Sequence, residues 1–139
     1  MNENHRRTLS TSLRIIERYL NMIDRELASE NITRSLILTS TINDIDHETR
    51  KRILESTASM LEGIKRIKEE FKLEKDEMPL KRLLCSLLAE IKVILEELKP
   101  EKMEKAYGHL SEADRKQLKP HILNLLELWE EAYQTLVSR

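Results

Sequence analysis

The chain has 139 residues, with 24 basic and 25 acidic side chains, a formal net charge of −1, two glycines and three prolines. Turns and hairpins are rich in glycine and proline, so this composition argues against β-sandwiches, β-barrels and many-stranded α/β sheets. It also argues against the glycine-rich phosphate loops of Walker-type NTPases and dinucleotide-binding domains. The balanced charge gives no reason to expect nucleic-acid binding.

Apolar residues alternate at steps of four and three along the first predicted helix, residues 5–29. The seam consists of Leu9, Leu13, Ile16, Leu20, Ile23 and Leu27. This spacing keeps the seam on one helix face, which is typical of an amphipathic helix in a bundle. The segment 30–46 that follows is rich in Thr, Ser and Ile and has weak helix propensity. We predict an ordered connector there, with one or two helical turns around Thr33–Leu38.

The second and third helices are predicted from two further amphipathic segments. The second begins after Asp46, a residue suited to the N-cap, and ends near Leu73. The third covers about 78–98, with Asp76 as a candidate cap and Pro79 in the first turn.

A short helix and a final long helix complete the predicted elements. The short helix covers 101–107 and ends at Gly108, because glycine commonly follows the last helical residue. The last helix follows the N-cap Ser111 and ends near residue 137, and Pro120 is expected to kink or split it. Long amphipathic helices joined by short turns predict an all-α, antiparallel four-helix bundle that forms a single domain over 1–139.

All six basic residues of the segment 1–46 are arginines, and four of them share one side of the first helix. They are Arg7, Arg14, Arg18 and Arg25 (the arginine stripe), which lie within about 40° of one another on a helical wheel. Guanidinium groups suit carboxylate or phosphate partners and are enriched at protein interfaces. We predict that the stripe binds an acidic partner, either a second copy of the chain or another protein. The alternative is an ordinary solvated face.

Small residues follow one another at steps of three and four in the second helix, at Ser56, Ser59 and Gly63. Such a strip lets another backbone approach closely, so a tightly packed neighbouring helix is one interpretation. A groove for a small, unidentified ligand is the other.

Two short motifs suggest alternative functions. The spacing of Arg115 and His121, early in the last helix, resembles the Arg-x5-His active motif of HEPN-type ribonucleases. That resemblance implies that the arginine stabilises charge and the histidine acts as acid or base on a phosphodiester. The run His47-Glu48-Thr49-Arg50 resembles part of the phosphoacceptor box of histidine-kinase dimerisation domains, which implies phosphorylation of His47. The alternative for both is an exposed helix start.

No metal or cofactor is expected. None of the four histidines has a glutamate three residues before it, and no two histidines are four residues apart. The one cysteine, Cys85, cannot supply a thiolate zinc site or an internal disulfide. We expect no catalytic set of residues.

The sequence therefore predicts a non-enzymatic interaction or scaffold protein that self-associates into a homo-oligomer. The first residues lack the apolar run of a secretion signal, and no uncharged stretch is long enough to span a membrane. We expect a cytoplasmic protein with no membrane partner.

Overall fold

The computed structural model describes residues 1–28 and 34–138, and this part of the chain forms five helices and one pair of short strands. The helices are α1 (Glu3–Leu27), α2 (His47–Glu70), α3 (Leu80–Glu97), α4 (Pro100–Tyr107) and α5 (Glu112–Val137). The strands β1 (Arg34–Ser35) and β2 (Ser40–Thr41) pair antiparallel. The all-α class is confirmed. No helix among the described residues is long and apolar enough to cross a membrane.

The chain divides into two compact units, Met1–Lys75 (unit 1) and Asp76–Arg139 (unit 2). Unit 1 contains α1 and α2, and unit 2 contains α3, α4 and α5. The four-helix bundle and the single domain over 1–139 remain predictions.

Three of the helices begin after an N-cap residue with a short polar side chain. Each of these side chains accepts a hydrogen bond from an amide of the first turn that has no partner within the helix. The pairs are Asn2 with the amide of His5 (2.8 Å), Asp46 with that of Thr49 (2.6 Å) and Ser111 with that of Asp114 (3.1 Å). The caps predicted at Asp46 and Ser111 are confirmed. The backbone hydrogen bond from Thr49 also lowers the pKa of the Asp46 carboxyl from its ordinary value.

Among the other predictions about helix ends, the cap at Asp76 and a split at Pro120 are wrong, the end at Gly108 is confirmed, and a kink at Pro120 stays a prediction. α3 begins at Leu80 after Pro79, which forms no side-chain cap, so Asp76 does not cap it. α5 continues through Pro120 without being split. Gly108 follows α4 with a φ of 109°, a left-handed conformation that favours glycine, as the sequence indicates.

Residue 33 lies outside the described residues. For the rest of the segment Thr33–Leu38, the predicted helical turns are wrong. Ser35 pairs with Ser40, and the amide of Leu36 donates to the carbonyl of Thr39 over 2.7 Å. Ser, Thr and Ile favour extended backbone and local turns over helix, which explains the short hairpin. Its tip exposes three consecutive apolar side chains, Leu36, Ile37 and Leu38.

In unit 1, α1 and α2 pack antiparallel and two arginines join their opposite ends. Arg50, only 5% exposed, donates from Nη1 to the carbonyl of Leu27 at the end of α1 over 2.5 Å. Arg6 donates in the same way to the carbonyl of Phe71 at the end of α2. Each cation therefore meets the negative end of the neighbouring helix dipole.

The middle of unit 1 is a mixed apolar and polar contact. Leu20 is buried, and the hydroxyl of buried Thr57 donates to the Asp24 carboxylate over 2.8 Å. The buried face of α1 includes half-buried Asp24, whereas Ile16 and Ile23 of the predicted seam are exposed.

The core of unit 2 is built around Trp129 of α5. Its indole Nε1 donates to the carbonyl of Leu88 on α3 over 2.6 Å, its ring stacks on Tyr133 at 5.1 Å, and the ammonium of Lys92 lies 4.6 Å from its ring centroid. Leu95 of α3 is buried as well. α3 and α5 are thus fixed together along one side of α3.

Candidate functional site

α3 carries a further apolar series beside the side that meets α5, and no other described helix of unit 2 buries it. The series (the α3 apolar face) consists of Leu80, Leu84, Leu87, Ile91, Ile94 and Leu98. All six side chains are exposed, and their spacing of four and three residues is that of a heptad repeat. Next to this face, Leu88 is half-buried with its carbonyl bonded to Trp129 of α5, and Leu95 is buried. α3 therefore has two adjacent apolar seams, of which one is occupied.

Two carboxylates border the α3 apolar face. Glu90 and Glu97 are exposed and lie on the side away from Leu88 and Leu95. Each is three or four residues from Ile94, so both side chains stand next to the exposed apolar series. This edge of the face is acidic.

α1 has an exposed apolar face of its own, bordered by positive charge. This α1 apolar face consists of Ile15, Ile16, Tyr19, Met22 and Ile23. Arg18 is four residues before Met22 and Arg25 is three residues after it, so both guanidinium groups stand along its edge. Glu26, four residues after Met22, also stands beside this face, so its positive charge is confined to the edge formed by Arg18 and Arg25. That edge is opposite in charge to the edge of the α3 apolar face formed by Glu90 and Glu97.

The structure places all four members of the arginine stripe on the surface of unit 1. Arg7, Arg14, Arg18 and Arg25 are exposed. Within residues 1–28 and 34–138, none of the four forms an ion pair. Their binding role remains a prediction, and their charge is available to a partner.

Only part of the stripe borders a cleft of about 400 Å³ at one end of unit 1. The cleft (the basic cleft) is lined by Glu3, Arg6, Arg7, Ser10, Arg14, Lys72, Leu73 and Glu74. It includes Arg7 and Arg14 but not Arg18 or Arg25. The stripe predicted from the sequence therefore consists of two pairs with different surroundings.

The turn that follows the end of α2 brings Lys72 to this cleft. Lys72 has a left-handed backbone with φ of 53°, and the amide of Leu73 donates to the carbonyl of Lys68 over 2.9 Å. This reversal of the chain places residues 72–74 beside the first turns of α1. In the described part of the chain, no ion pair joins Glu3 or Glu74 to the cations of the cleft.

A second polar cluster joins α4 to α5 through Glu104. Its carboxylate accepts hydrogen bonds from the guanidinium of Arg115, from His109 Nδ1 at 2.9 Å and from the amide of Leu110 at 3.4 Å. The hydrogen bond from Arg115 is the main cause of a lowered pKa for the Glu104 carboxyl. These contacts fix the turn between two helices.

The two residues of the HEPN-type motif are directed to different surroundings. Arg115 contacts Glu104, whereas His121 is exposed. Six residues along an α-helix correspond to a rotation of about 600°, which leaves the two side chains about 120° apart around the axis. The structure instead brings His109 to the partner of Arg115, and no spacing in the sequence indicated that cluster.

His47 lies in the first turn of α2 and lines a shallow cleft of about 400 Å³. The cleft also includes Lys51, Glu55 and buried Arg50. Since Arg50 is bonded to the end of α1, it has a structural role there. Phosphorylation of His47 remains a hypothesis.

The small-residue strip of α2 has open surroundings. Ser56 and Ser59 are exposed, and a Cβ built on Gly63 meets no atom within 4 Å. The buried small residue of this helix is the neighbouring Thr57. The strip as a packing surface or groove remains a prediction.

The described residues contain no group of three or more His, Cys, Asp or Glu side chains that could hold a metal ion. No family model, curated protein or solved structure matches the chain. The candidate sites therefore follow from this chain's own geometry, and the sequence missed Arg6, Ser10 and Lys72 as neighbours of the arginine stripe.

Proposed function

We propose that the protein is a non-enzymatic interaction module that self-associates, with α1 of a second copy covering the α3 apolar face. The observation that carries this proposal is the exposed heptad series on α3. Exposed apolar patches of this extent mark interaction surfaces in water-soluble proteins. The exposed hairpin tip at Leu36, Ile37 and Leu38 adds further apolar surface in the same molecule.

The four-helix bundle is part of this proposal. A helix in such a bundle contacts two neighbours, so it requires two adjacent apolar seams. α3 has both: Leu88 and Leu95 serve α5, and the α3 apolar face is free for another helix. In the proposed assembly, the pair α3 and α5 of one copy and the pair α1 and α2 of the other form the bundle.

Charge complementarity favours α1 of a second copy as the occupant. Arg18 and Arg25 border the α1 apolar face, while Glu90 and Glu97 border the α3 apolar face. Both pairs are seven residues apart, which is about 10.5 Å along a helix. By contrast, α3 against α3 would bring like charges together at Glu90 and Glu97. Within one up-and-down bundle, α1 and α3 would lie on a diagonal and not side by side.

The other function classes have weaker support. Arg115 is bonded to Glu104 and separated from His121, so the structure does not bring together the pair of residues that the ribonuclease hypothesis requires.

We also propose a cytoplasmic location, because the lone cysteine Cys85 requires no oxidising compartment.

Charge reversal on the two faces tests the proposed pairing. The first variant carries Arg18→Glu and Arg25→Glu, and the second carries Glu90→Arg and Glu97→Arg. In each variant alone, like charges face each other at both copies of the contact. The dissociation constant of its dimer should therefore rise by at least about tenfold. Mixing the two variants restores opposite charges at both contacts. We expect a mixed dimer in sedimentation equilibrium, which packing within one chain cannot produce.

A matched control variant distinguishes an effect of the two apolar faces from an effect of the net charge of the chain. A chain with Arg7→Glu and Arg14→Glu has the same net charge as the first variant and its changes lie on the same helix. Mixed with the Glu90→Arg, Glu97→Arg chain, it should form a weaker mixed dimer, because Arg18 and Arg25 still face arginines. Equal association in both mixtures would overturn the proposed pairing.

A further inference from the structure

The basic cleft gathers charge that the fold of unit 1 does not use. Arg6 is bonded to the end of α2, but Arg7, Arg14 and Lys72 make no ion pair within the described residues. Placing like charges together is unfavourable without an anion between them. Glu3 and Glu74 line the same cleft, but among the described residues neither forms an ion pair with these cations. The cations are therefore open to a ligand from outside.

We propose that the basic cleft binds a dianionic phosphate monoester. Its lining has four cations and two carboxylates, Arg6, Arg7, Arg14 and Lys72 against Glu3 and Glu74, which leaves a net charge of about +2. A phosphate monoester carries about −1.5 to −2 at neutral pH, which balances that charge. A single carboxylate would neutralise only half of it.

The donor chemistry of the cleft also suits a phosphate. Guanidinium groups present paired N–H donors that bind two phosphate oxygens at once, and Lys72 and the hydroxyl of Ser10 add further donors. The cleft, at about 400 Å³, is larger than a phosphate group alone. The remaining space accommodates the organic part of the ester, whose hydroxyl or amino groups can donate to Glu3 and Glu74.

The same chemistry could come from a small phosphorylated metabolite or from a phosphorylated protein side chain. Calorimetric titration of the full chain with inorganic phosphate, O-phosphoserine and a short phosphoserine peptide distinguishes them, with the unphosphorylated peptide as the blank. Saturable binding of a monoester, tighter than that of inorganic phosphate, is the expected result. Binding of the peptide alone assigns the ligand to a protein, and equal binding of both monoesters assigns it to the phosphoserine group itself.

Matched variants locate the binding. Arg7→Gln with Arg14→Gln should weaken monoester binding by about a hundredfold, since each charged hydrogen-bond donor contributes about tenfold or more. Lys65→Gln with Arg66→Gln removes the same charge from exposed positions of α2 that belong neither to the cleft nor to the proposed dimer contact, and it should leave binding unchanged. Lys72→Gly removes the ammonium while easing the left-handed backbone, so it should weaken binding in a folded protein.

Two results would overturn the assignment. One is that neither O-phosphoserine nor the phosphoserine peptide binds saturably, or that neither binds more tightly than inorganic phosphate. The other is an equal loss in the Arg7/Arg14 and Lys65/Arg66 variants, which would indicate general electrostatic attraction. This site is independent of self-association, so the mass of each variant is measured alongside and reports on the proposed function separately.

Discussion

The variant with Leu87→Glu and Ile94→Glu is expected to sediment as a monomer under conditions in which the unchanged chain is a dimer. Both side chains are exposed on the α3 apolar face. Burying each one at an interface is worth about 1.5–3 kcal/mol, and a reciprocal dimer contains each contact twice. Carboxylates at these positions also face Glu90 and Glu97 on the same edge. The dissociation constant should therefore rise by at least about a hundredfold.

A control variant adds the same charge to α3 outside the α3 apolar face. Ser86→Glu with Ala89→Glu places two carboxylates on the exposed side of α3 away from its apolar face. This control should retain the dimer, and both variants should keep the helix content of the unchanged chain. Dissociation of both variants to the same extent, or of neither, would contradict the role given to the α3 apolar face.

Trp129→Ala is expected to lower the free energy of unfolding of unit 2 by about 3–5 kcal/mol. The indole is buried, donates to the carbonyl of Leu88, stacks on Tyr133 and lies under the ammonium of Lys92. Its removal leaves a cavity where α3 and α5 meet. Denaturant unfolding followed by circular dichroism measures the change.

Tyr107→Ala is the control for aromatic loss, because Tyr107 lies at the end of α4 and is 88% exposed. It should change the free energy of unfolding by less than about 0.5 kcal/mol. A Trp129→Ala chain as stable as the Tyr107→Ala chain would show that Trp129 does not hold α3 to α5.

Much of the secondary structure follows from local signals in the sequence. The caps at Asp46 and Ser111 and the ending at Gly108 are predicted correctly, because capping depends on residues within one turn of the helix end. The segment after α1 is harder to predict, since its Ser, Thr and Ile residues are compatible with extended backbone and with a short helical turn. The structure forms a hairpin there.

The candidate sites are predicted less completely. A heptad pattern identifies a helix face as apolar but does not say which helix covers it, so the exposure of Leu87 and Ile94 could not be derived from spacing. The arginine stripe is visible on a helical wheel. Its division between the basic cleft and the α1 apolar face is not, because Lys72 enters the cleft from the end of α2.

The central claim, that a second copy covers the α3 apolar face, is tested most directly by the native mass of the protein. Native mass spectrometry and sedimentation at micromolar concentration measure it without any substitution. We predict a species of twice the chain mass of 16.4 kDa, with the monomer appearing on dilution. A mass of 16.4 kDa at every concentration would contradict self-association.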